Sequence, residues 1–252
     1  VQAACRLDTV NIPEIHEEPS RSDQGERRQP FAPRLAPRDL ARILHDRLGV
    51  ECMINHVVVH HEGEQALIDW ANETWEVYGI RQFVLVGGGC HSAHYPGPGV
   101  TRANRLLREY TAIESLRIGN ICIPSRVDEA DRIADKVEAG ADFFTSQILY
   151  EPDAFVETLN ALAQRDRLPQ EILLAFCPIR HVRNLRFLLW LGVNVSDSLY
   201  DWLIEDDQVV LERSLAQIRR AWAQIIAHQR TQHRDRPTLD INLAPIGPIP
   251  SA

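Results

Sequence analysis

The chain alternates between short runs of apolar, β-branched and aromatic residues and longer stretches in which apolar residues recur every three or four positions. The short runs are typical of strands, and the longer spacing is typical of helices with one apolar face. The predicted strands span residues 9–12, 52–59, 83–86, 120–123, 143–150, 172–177, 193–195 and 239–246. We therefore expect eight βα units along the chain.

The predicted strands lack a regular alternation of polar and apolar residues, which indicates burial on both faces, as in parallel sheets covered by helices. Eight such units close into an α/β fold with a single (β/α)8 TIM barrel. The 252 residues, 44% of them hydrophobic, fit one barrel domain over residues 1–252. Residues 17–37, rich in Arg, Pro, Ser and Glu, predict a loop or lid, and the proline-rich residues 245–252 predict a surface or disordered tail.

The composition narrows the range of partners. A net charge of -8 without a basic stripe argues against nucleic acid. No apolar run is long enough to cross a bilayer, and the first residues do not resemble a signal peptide, so we expect no membrane partner and a cytoplasmic protein. Five cysteines without paired spacing predict reduced thiols rather than a disulfide framework. A homo-oligomer stays open.

Polar residues follow several predicted strands, at the end of a barrel where active sites form. Gly87, Gly88 and Gly89 form either a surface on which a flat ring or phosphate approaches the backbone, or a simple tight turn. Gln147 is either a core amide bonded to its neighbours or a ligand contact. Glu14 is a candidate general acid if the barrel desolvates it, and otherwise an exposed surface carboxylate.

A cluster of histidines near the same strand ends raises the question of a metal. Cys90, His91 and His94, with His60 and His61, carry the ligand types that bind zinc or iron. No HExxH or paired CxxC spacing supports that interpretation, and loop histidines are more often solvated. We predict no metal site.

Two segments carry a family resemblance: YGIRQFVLVGG at 78–88 and IPSRVDEADRIADKVEAGADFFTSQILYE at 123–151. They resemble the methylenetetrahydrofolate reductase family, most specifically in the AGADFFTSQ run, and the similarity extends more loosely over nearly the whole chain. The resemblance implies a barrel oxidoreductase with FAD as cofactor and NADH or NADPH as co-substrate. It implies hydride transfer to the folate substrate 5,10-methylenetetrahydrofolate, giving 5-methyltetrahydrofolate.

The resemblance also implies roles for individual residues. It places folate binding at Gln147, and Arg180 and Arg183 could meet the glutamate tail of folate. The positions that it assigns to cofactor binding are His56, Gly87, Gly88, Gly89, Ile123, Glu129, Arg132 and Lys136. The last three lie on the helix that holds the ribose and phosphates of FAD in the family, and Lys136 is the single lysine in the sequence.

Two departures from the family pattern leave other functions open. Gly89 stands where the family carries an aspartate near the flavin, and the family's strand-one glutamate, a proton donor, aligns with Val10 or Asn11. Glu14 is then our candidate for the catalytic acid, from a shifted position. The alternatives are a tetrahydrofolate-dependent methyl-transfer or demethylation protein, which needs no flavin, and a non-catalytic subunit that binds folate or flavin.

Overall fold

A computed structural model describes residues 7–16, 34–88, 94–165, 167–231 and 236–246. The strands are β1 (Thr9–Pro13), β2 (Glu51–Val57), β3 (Gln82–Val86), β4 (Arg117–Cys122), β5 (Phe143–Ser146), β6 (Glu171–Phe176) and β7 (Thr238–Leu243). The helices are α1 (Pro37–Leu48), α2 (Glu64–Tyr78), α3 (Val100–Tyr110), α4 (Glu129–Glu138), α5 (Asp153–Gln164), α6 (Val182–Trp190), α7 (Asp197–Ile204) and α8 (Val210–Thr231). A 3-10 turn, Val58–His60, follows β2.

The strands form one sheet in chain order from β1 to β7, and every neighbouring pair is parallel. Parallel neighbours require a crossover, and helices α1 to α5 supply one after each of the first five strands. All carboxyl ends therefore meet at one edge of the sheet. We call this edge, with the residues that directly follow β1 to β6, the mouth.

Side chains alternate between two buried faces of the sheet. Ile54, Phe83 and Ile118 lie in the layer beneath α1, α2 and α3. Met53 and Val84, each one residue away from a member of that layer, pack with other side chains on the opposite face, the interior face. Burial on both faces is what the uninterrupted apolar runs predicted, because a parallel sheet covered by helices exposes neither face.

Two expectations about the ends and connections of elements need correction. Residues 193–195, expected as a strand, lie in the connection between α6 and α7, so the described residues contain seven paired strands and not eight. Their short apolar pattern is explained by packing, since Val193 and Val195 contribute to the cluster around α6 and α7. The expected loop 17–37 ends earlier, because Pro37 begins α1, where its missing N–H costs nothing.

The α/β fold is thus a seven-stranded parallel sheet arranged as part of a barrel, and closure by an eighth strand stays a prediction. Residues 17–33 and 247–252, most of the predicted lid and tail, lie outside the described residues. Ile246, at the start of the tail, packs against the cluster formed with α6, α7 and α8. In the part of the chain that the structure describes, no helix combines the length and the apolar character of a membrane span.

Candidate functional site

The mouth brings together several of the residues that the sequence indicated. Glu14 directly follows β1, His56 is the penultimate residue of β2, and Gly87 follows β3. Ile123 follows β4 and Gln147 follows β5. The parallel topology, rather than their positions in the sequence, makes these residues neighbours along one edge.

The carboxylate of Glu14 is held by donors from β1 and β2. Its Oε2 accepts a 2.9 Å hydrogen bond from the backbone N–H of Val57. It lies 2.8 Å from Nδ1 of His56 and 3.4 Å from Nε2 of His16, although neither ring N–H is well aligned with it. Burial raises the pKa of Glu14, but the contacts with His56 and Val57 outweigh it and lower the pKa to about 2.

The role of Glu14 as a proton donor stays a prediction, and this low pKa argues against it. A carboxyl group with a pKa of about 2 is ionised at neutral pH, so it has no proton to give. The sequence placed Glu14 correctly at the mouth but could not show that His56 would approach it from β2. What Glu14 can do is fix the orientation and tautomer of that imidazole, as carboxylates do for catalytic and metal-binding histidines.

His56 continues from Glu14 into a chain of aromatic and imidazole contacts. Its ring is only 5% exposed and stacks on Trp70 of α2, with centroids 3.5 Å apart and planes 5° from parallel. Its Nε2 lies 2.6 Å from Nε2 of His61, and which ring donates depends on their tautomers. Burial, with the neighbouring His56, lowers the pKa of His61 to about 4. His61 is therefore neutral at neutral pH.

The ring of Tyr95 lies against Gly88, the second residue after β3. A Cβ atom on Gly88 would lie 2.2 Å from Cζ of Tyr95, whose ring also approaches His60 edge-on at 5.6 Å between centroids. Gly87 has ordinary space around it. Gly89, which the resemblance assigned to the cofactor, lies outside the described residues. Sequence reasoning missed Tyr95, because a contact between a ring and a glycine seven positions earlier leaves no pattern in the sequence.

Glu129 begins α4 and is the most buried of the expected cofactor residues, at 2% exposure. Its Oε1 accepts a 2.8 Å hydrogen bond from the backbone N–H of Ile123, which joins the start of the helix to the end of β4. Its Oε2 lies 3.6 Å from Arg126 but has no hydrogen bond. A buried carboxylate oxygen without a hydrogen-bond donor is costly, and a donor group on a ligand would satisfy it.

Lys136 and Arg132 were both expected to bind the phosphates of FAD. Their side chains differ in burial, since that of Lys136 is largely covered and that of Arg132 is exposed. Nζ of Lys136 points into the layer between α4 and the sheet, where it donates a 2.9 Å hydrogen bond to the carbonyl of Ile121 and lies 5.9 Å from the Phe144 ring centroid. Burial lowers the pKa of Lys136, although the carboxylate of Glu129 opposes this effect. Arg132 is exposed on the outer side of α4.

Gln147 and the arginines expected at folate occupy the other half of the mouth. The Nε2 atom of Gln147 donates a 3.1 Å hydrogen bond to the carbonyl of Gly192, between α6 and α7, and the residue is half-buried. Arg180, after β6, and Arg183, in the first turn of α6, are both exposed. Both side chains are free to meet the acidic glutamate tail of a folate, but no contact in the described residues orients them toward Gln147.

The structure settles which β1 residue faces the interior. Val10 packs under the helices, so the alternation of side chains along the strand places Asn11 on the interior face. Oδ1 of Asn11 is buried without a hydrogen bond, and so is Oδ1 of Asn55 on β2. Pairing of Asn11 with Met53 and of Pro13 with Asn55 puts the two amides on neighbouring strands and the same face.

Histidines and cysteines were considered as metal ligands. Among the residues that the structure describes, no group of three His, Cys, Asp or Glu side chains has the arrangement of a metal site. Cys90 and His91, the other candidates, lie outside those residues. Cys52, Cys122 and Cys177 are buried free thiols, as expected for reduced core cysteines.

The chain is similar to folate-related proteins in sequence and in fold. The family model for methylenetetrahydrofolate reductase matches residues 123–233. Methylenetetrahydrofolate reductase 2 of Schizosaccharomyces pombe is 30% identical over 161 residues, which are 54% of this chain and 25% of the relative. The chain thus spans about a quarter of the length of that relative.

A solved structure shares the fold. It is an uncharacterized protein from Clostridium thermocellum that binds two copies of 5-methyl-5,6,7,8-tetrahydrofolic acid. The likeness has a TM-score of 0.73 at 17% sequence identity and covers 96% of this chain and 79% of that one. The matched family model includes α4 and Gln147, the segment whose sequence first indicated the relationship. Over residues 123–233 the chain thus matches the methylenetetrahydrofolate reductase family.

Proposed function

We propose that the chain is a folate-linked oxidoreductase that transfers hydride from NADH or NADPH, through FAD, to 5,10-methylenetetrahydrofolate. The match to the family model and the similarity to the curated relative support the reaction class. The observation that carries the proposal is the buried carboxylate of Glu129, whose Oε2 lacks a hydrogen-bond donor. A ribose hydroxyl of FAD would supply that donor, so the residues present fit the cofactor at this point.

Other residues of the mouth would bind and orient the ligands. Glu129 would accept from the ribose, and Arg126, 3.6 Å from it, adds positive charge on the same side. Gln147, oriented by the carbonyl of Gly192, presents its remaining amide groups to the pterin ring. When bound, FAD would accept hydride from the nicotinamide and pass it to the methylene carbon.

Reduction of the methylene bridge also consumes a proton, and the described mouth supplies no carboxylic acid for it. Asn11 on the interior face carries a neutral amide that cannot act as an acid, and Glu14 is already ionised. Protonation would then rely on water, which makes a slow enzyme the expected outcome, since a lost general acid costs about two to four orders of magnitude in rate.

A flavin-free methyl-transfer or methyltetrahydrofolate-binding protein is the second candidate. Two observations favour it: Asn11 in place of an acid, and Tyr95 against the glycine turn where a flavin ring would lie. The Clostridium thermocellum protein with the same fold binds 5-methyl-5,6,7,8-tetrahydrofolic acid, which makes a role with that ligand plausible for this chain as well.

The visible absorption spectrum of the purified protein tests the cofactor, followed by anaerobic addition of NADH and then 5,10-methylenetetrahydrofolate. Flavin that is bleached by NADH and reoxidised by the folate supports the reductase. A colourless protein that binds folate and does not take up FAD rejects it in favour of the second candidate.

Two variants test the residues that carry the proposal. Glu129→Gln keeps the acceptor for Ile123 but weakens the charged acceptor for ribose, and we expect about tenfold weaker FAD binding. Glu138→Gln, at the exposed end of the same helix, is the matched control and should bind FAD as the wild type does. Equal FAD affinity in both variants would show that Glu129 does not bind FAD.

A further inference from the structure

At the mouth, the ring of Tyr95 lies directly against the backbone of Gly88. A Cβ on Gly88 would lie 2.2 Å from Cζ, 2.3 Å from Cε2 and 2.5 Å from the hydroxyl oxygen of Tyr95. No side chain tolerates such distances, so only glycine permits this approach. Gly88 is not among the glycines with positive φ, and the close approach, not the turn, is therefore the reason that a glycine is needed.

Tyr95 is held against Gly88 from two sides. Its ring packs with the buried cluster beneath α1 to α3 and meets the edge of His60. Two residues further on, the N–H of Gly97 donates a 3.0 Å hydrogen bond to the carbonyl of Val59. A Cβ on Gly97 would lie 2.5 Å from the carbonyl oxygen of Val58, so this backbone is pressed against the 3-10 turn after β2. The chain that carries Tyr95 is thereby anchored to the neighbouring strand end.

The exposed backbone of Gly88 is also the surface that a flat ring would use in the proposed flavin site. One surface cannot contact two rings, so Tyr95 and the ligand ring exclude each other there. We infer that Tyr95 occupies the ring position of the flavin site and limits the affinity of the chain for FAD. The inference rests on the proposed function, because it takes the ligand ring to be that of FAD.

The physical effect is a reduction of apparent affinity. If FAD binds only when Tyr95 has left Gly88, the apparent dissociation constant is the intrinsic one divided by the fraction of molecules in that open state. Tyr95 is only partly buried, and the open state is the one in which its ring has left Gly88. Removing the ring makes nearly every molecule competent. We expect FAD to bind Tyr95→Ala about tenfold more tightly than the wild type, an effect of the size of one lost aromatic contact.

The experiment is a titration of FAD into the wild type, Tyr95→Ala, Tyr95→Leu and Tyr95→Phe, followed by quenching of flavin fluorescence. Leu retains apolar packing without a ring, and so covers the case in which Ala unfolds the chain. Phe retains the ring that contacts Gly88 and is the matched control, with an affinity close to that of the wild type. 5-Methyltetrahydrofolate binding is measured in parallel by tryptophan fluorescence.

Tighter FAD binding in the Ala or Leu variant, with Phe unchanged, supports the inference. Equal or weaker FAD binding in folded Ala and Leu variants overturns it. Failure of every variant to bind FAD also overturns it, and if folate still binds, only the flavin part of the proposed function falls with it. Tighter FAD binding without folate turnover leaves the inference standing while the proposed reductase fails.

Discussion

The cluster formed by Glu14, His56 and His61 makes the stability of the protein depend on acid in a defined way. The perturbation is Glu14→Gln, which keeps the shape and an acceptor oxygen for Val57 but removes the charge. Folding lowers the pKa of Glu14 from 4.5 to about 2, so the ionised carboxylate stabilises the folded state above pH 4.5. This contribution is lost as the pH falls from 4.5 through 2.

The magnitude follows from the same pKa values. At about 1.4 kcal/mol for each pKa unit, the change to about 2 corresponds to at most about 3 kcal/mol at neutral pH. The side chain of Glu14 is 24% exposed, and screening by solvent reduces this to about 2 kcal/mol. At about pH 3.5 the unfolded carboxyl is largely protonated, and roughly 60% of the contribution should remain.

Urea denaturation near pH 7 and at about pH 3.5 measures the effect. We expect Glu14→Gln to lose about 2 kcal/mol in the free energy of unfolding at neutral pH, and less in acid. Glu64→Gln, which removes an exposed partner of Arg102, is the matched control and should change stability little. A loss in Glu14→Gln that is the same at both pH values would refute the reasoning, since it could not come from the carboxylate charge.

The remaining predictions concern His61 and the packing of the interior face. The pKa of His61 falls from 6.5 to about 4 on folding, so the free energy of unfolding of the wild type should decline as the pH drops from 6.5 to 4. In urea unfolding at several pH values, His61→Gln should weaken this pH dependence. His45→Gln, at an exposed position of α1, should leave it unchanged. Gly119→Ala would place a Cβ 2.4 Å from the ring of Phe143, and we expect it to cost about 1–3 kcal/mol by thermal denaturation. Gly99→Ala, with open space around it, should cost under about 1 kcal/mol, and equal losses in the two glycine variants would contradict this view of the interior.

The imidazole cluster also has a structural role that is independent of catalysis. Glu14 extends from β1, while His56 and His61 lie on either side of the 3-10 turn after β2. Their contacts therefore join two adjacent connections of the mouth, and the stack of His56 on Trp70 ties both to α2. Loss of the Glu14 charge should thus loosen the same part of the mouth that carries Gly88 and Tyr95.

The sequence by itself predicted the parallel α/β architecture and the family resemblance. Strand and helix periodicities depend on local spacing, and they placed β1, β2, β3, β6 and the long helix α8 closely, whereas the strand predicted over residues 143–150 ends at Ser146 and β4 begins three residues before the predicted strand. The AGADFFTSQ run carried the family resemblance, and it lies within the segment that the family model matches. Residues 193–195 were the failure: a short buried connection and a short strand have the same apolar pattern, and only backbone pairing separates them.

Tertiary structure alone decided the chemistry of individual groups. The pKa of Glu14 depends on His56 and Val57, more than forty positions away in the chain, and Tyr95 meets Gly88 only because Gly97 is anchored to the end of β2. The face on which Asn11 lies depends on the register between β1 and β2. Periodicity shows which residues are buried, but charge, desolvation and close contact depend on which distant residues the fold brings within a few ångströms.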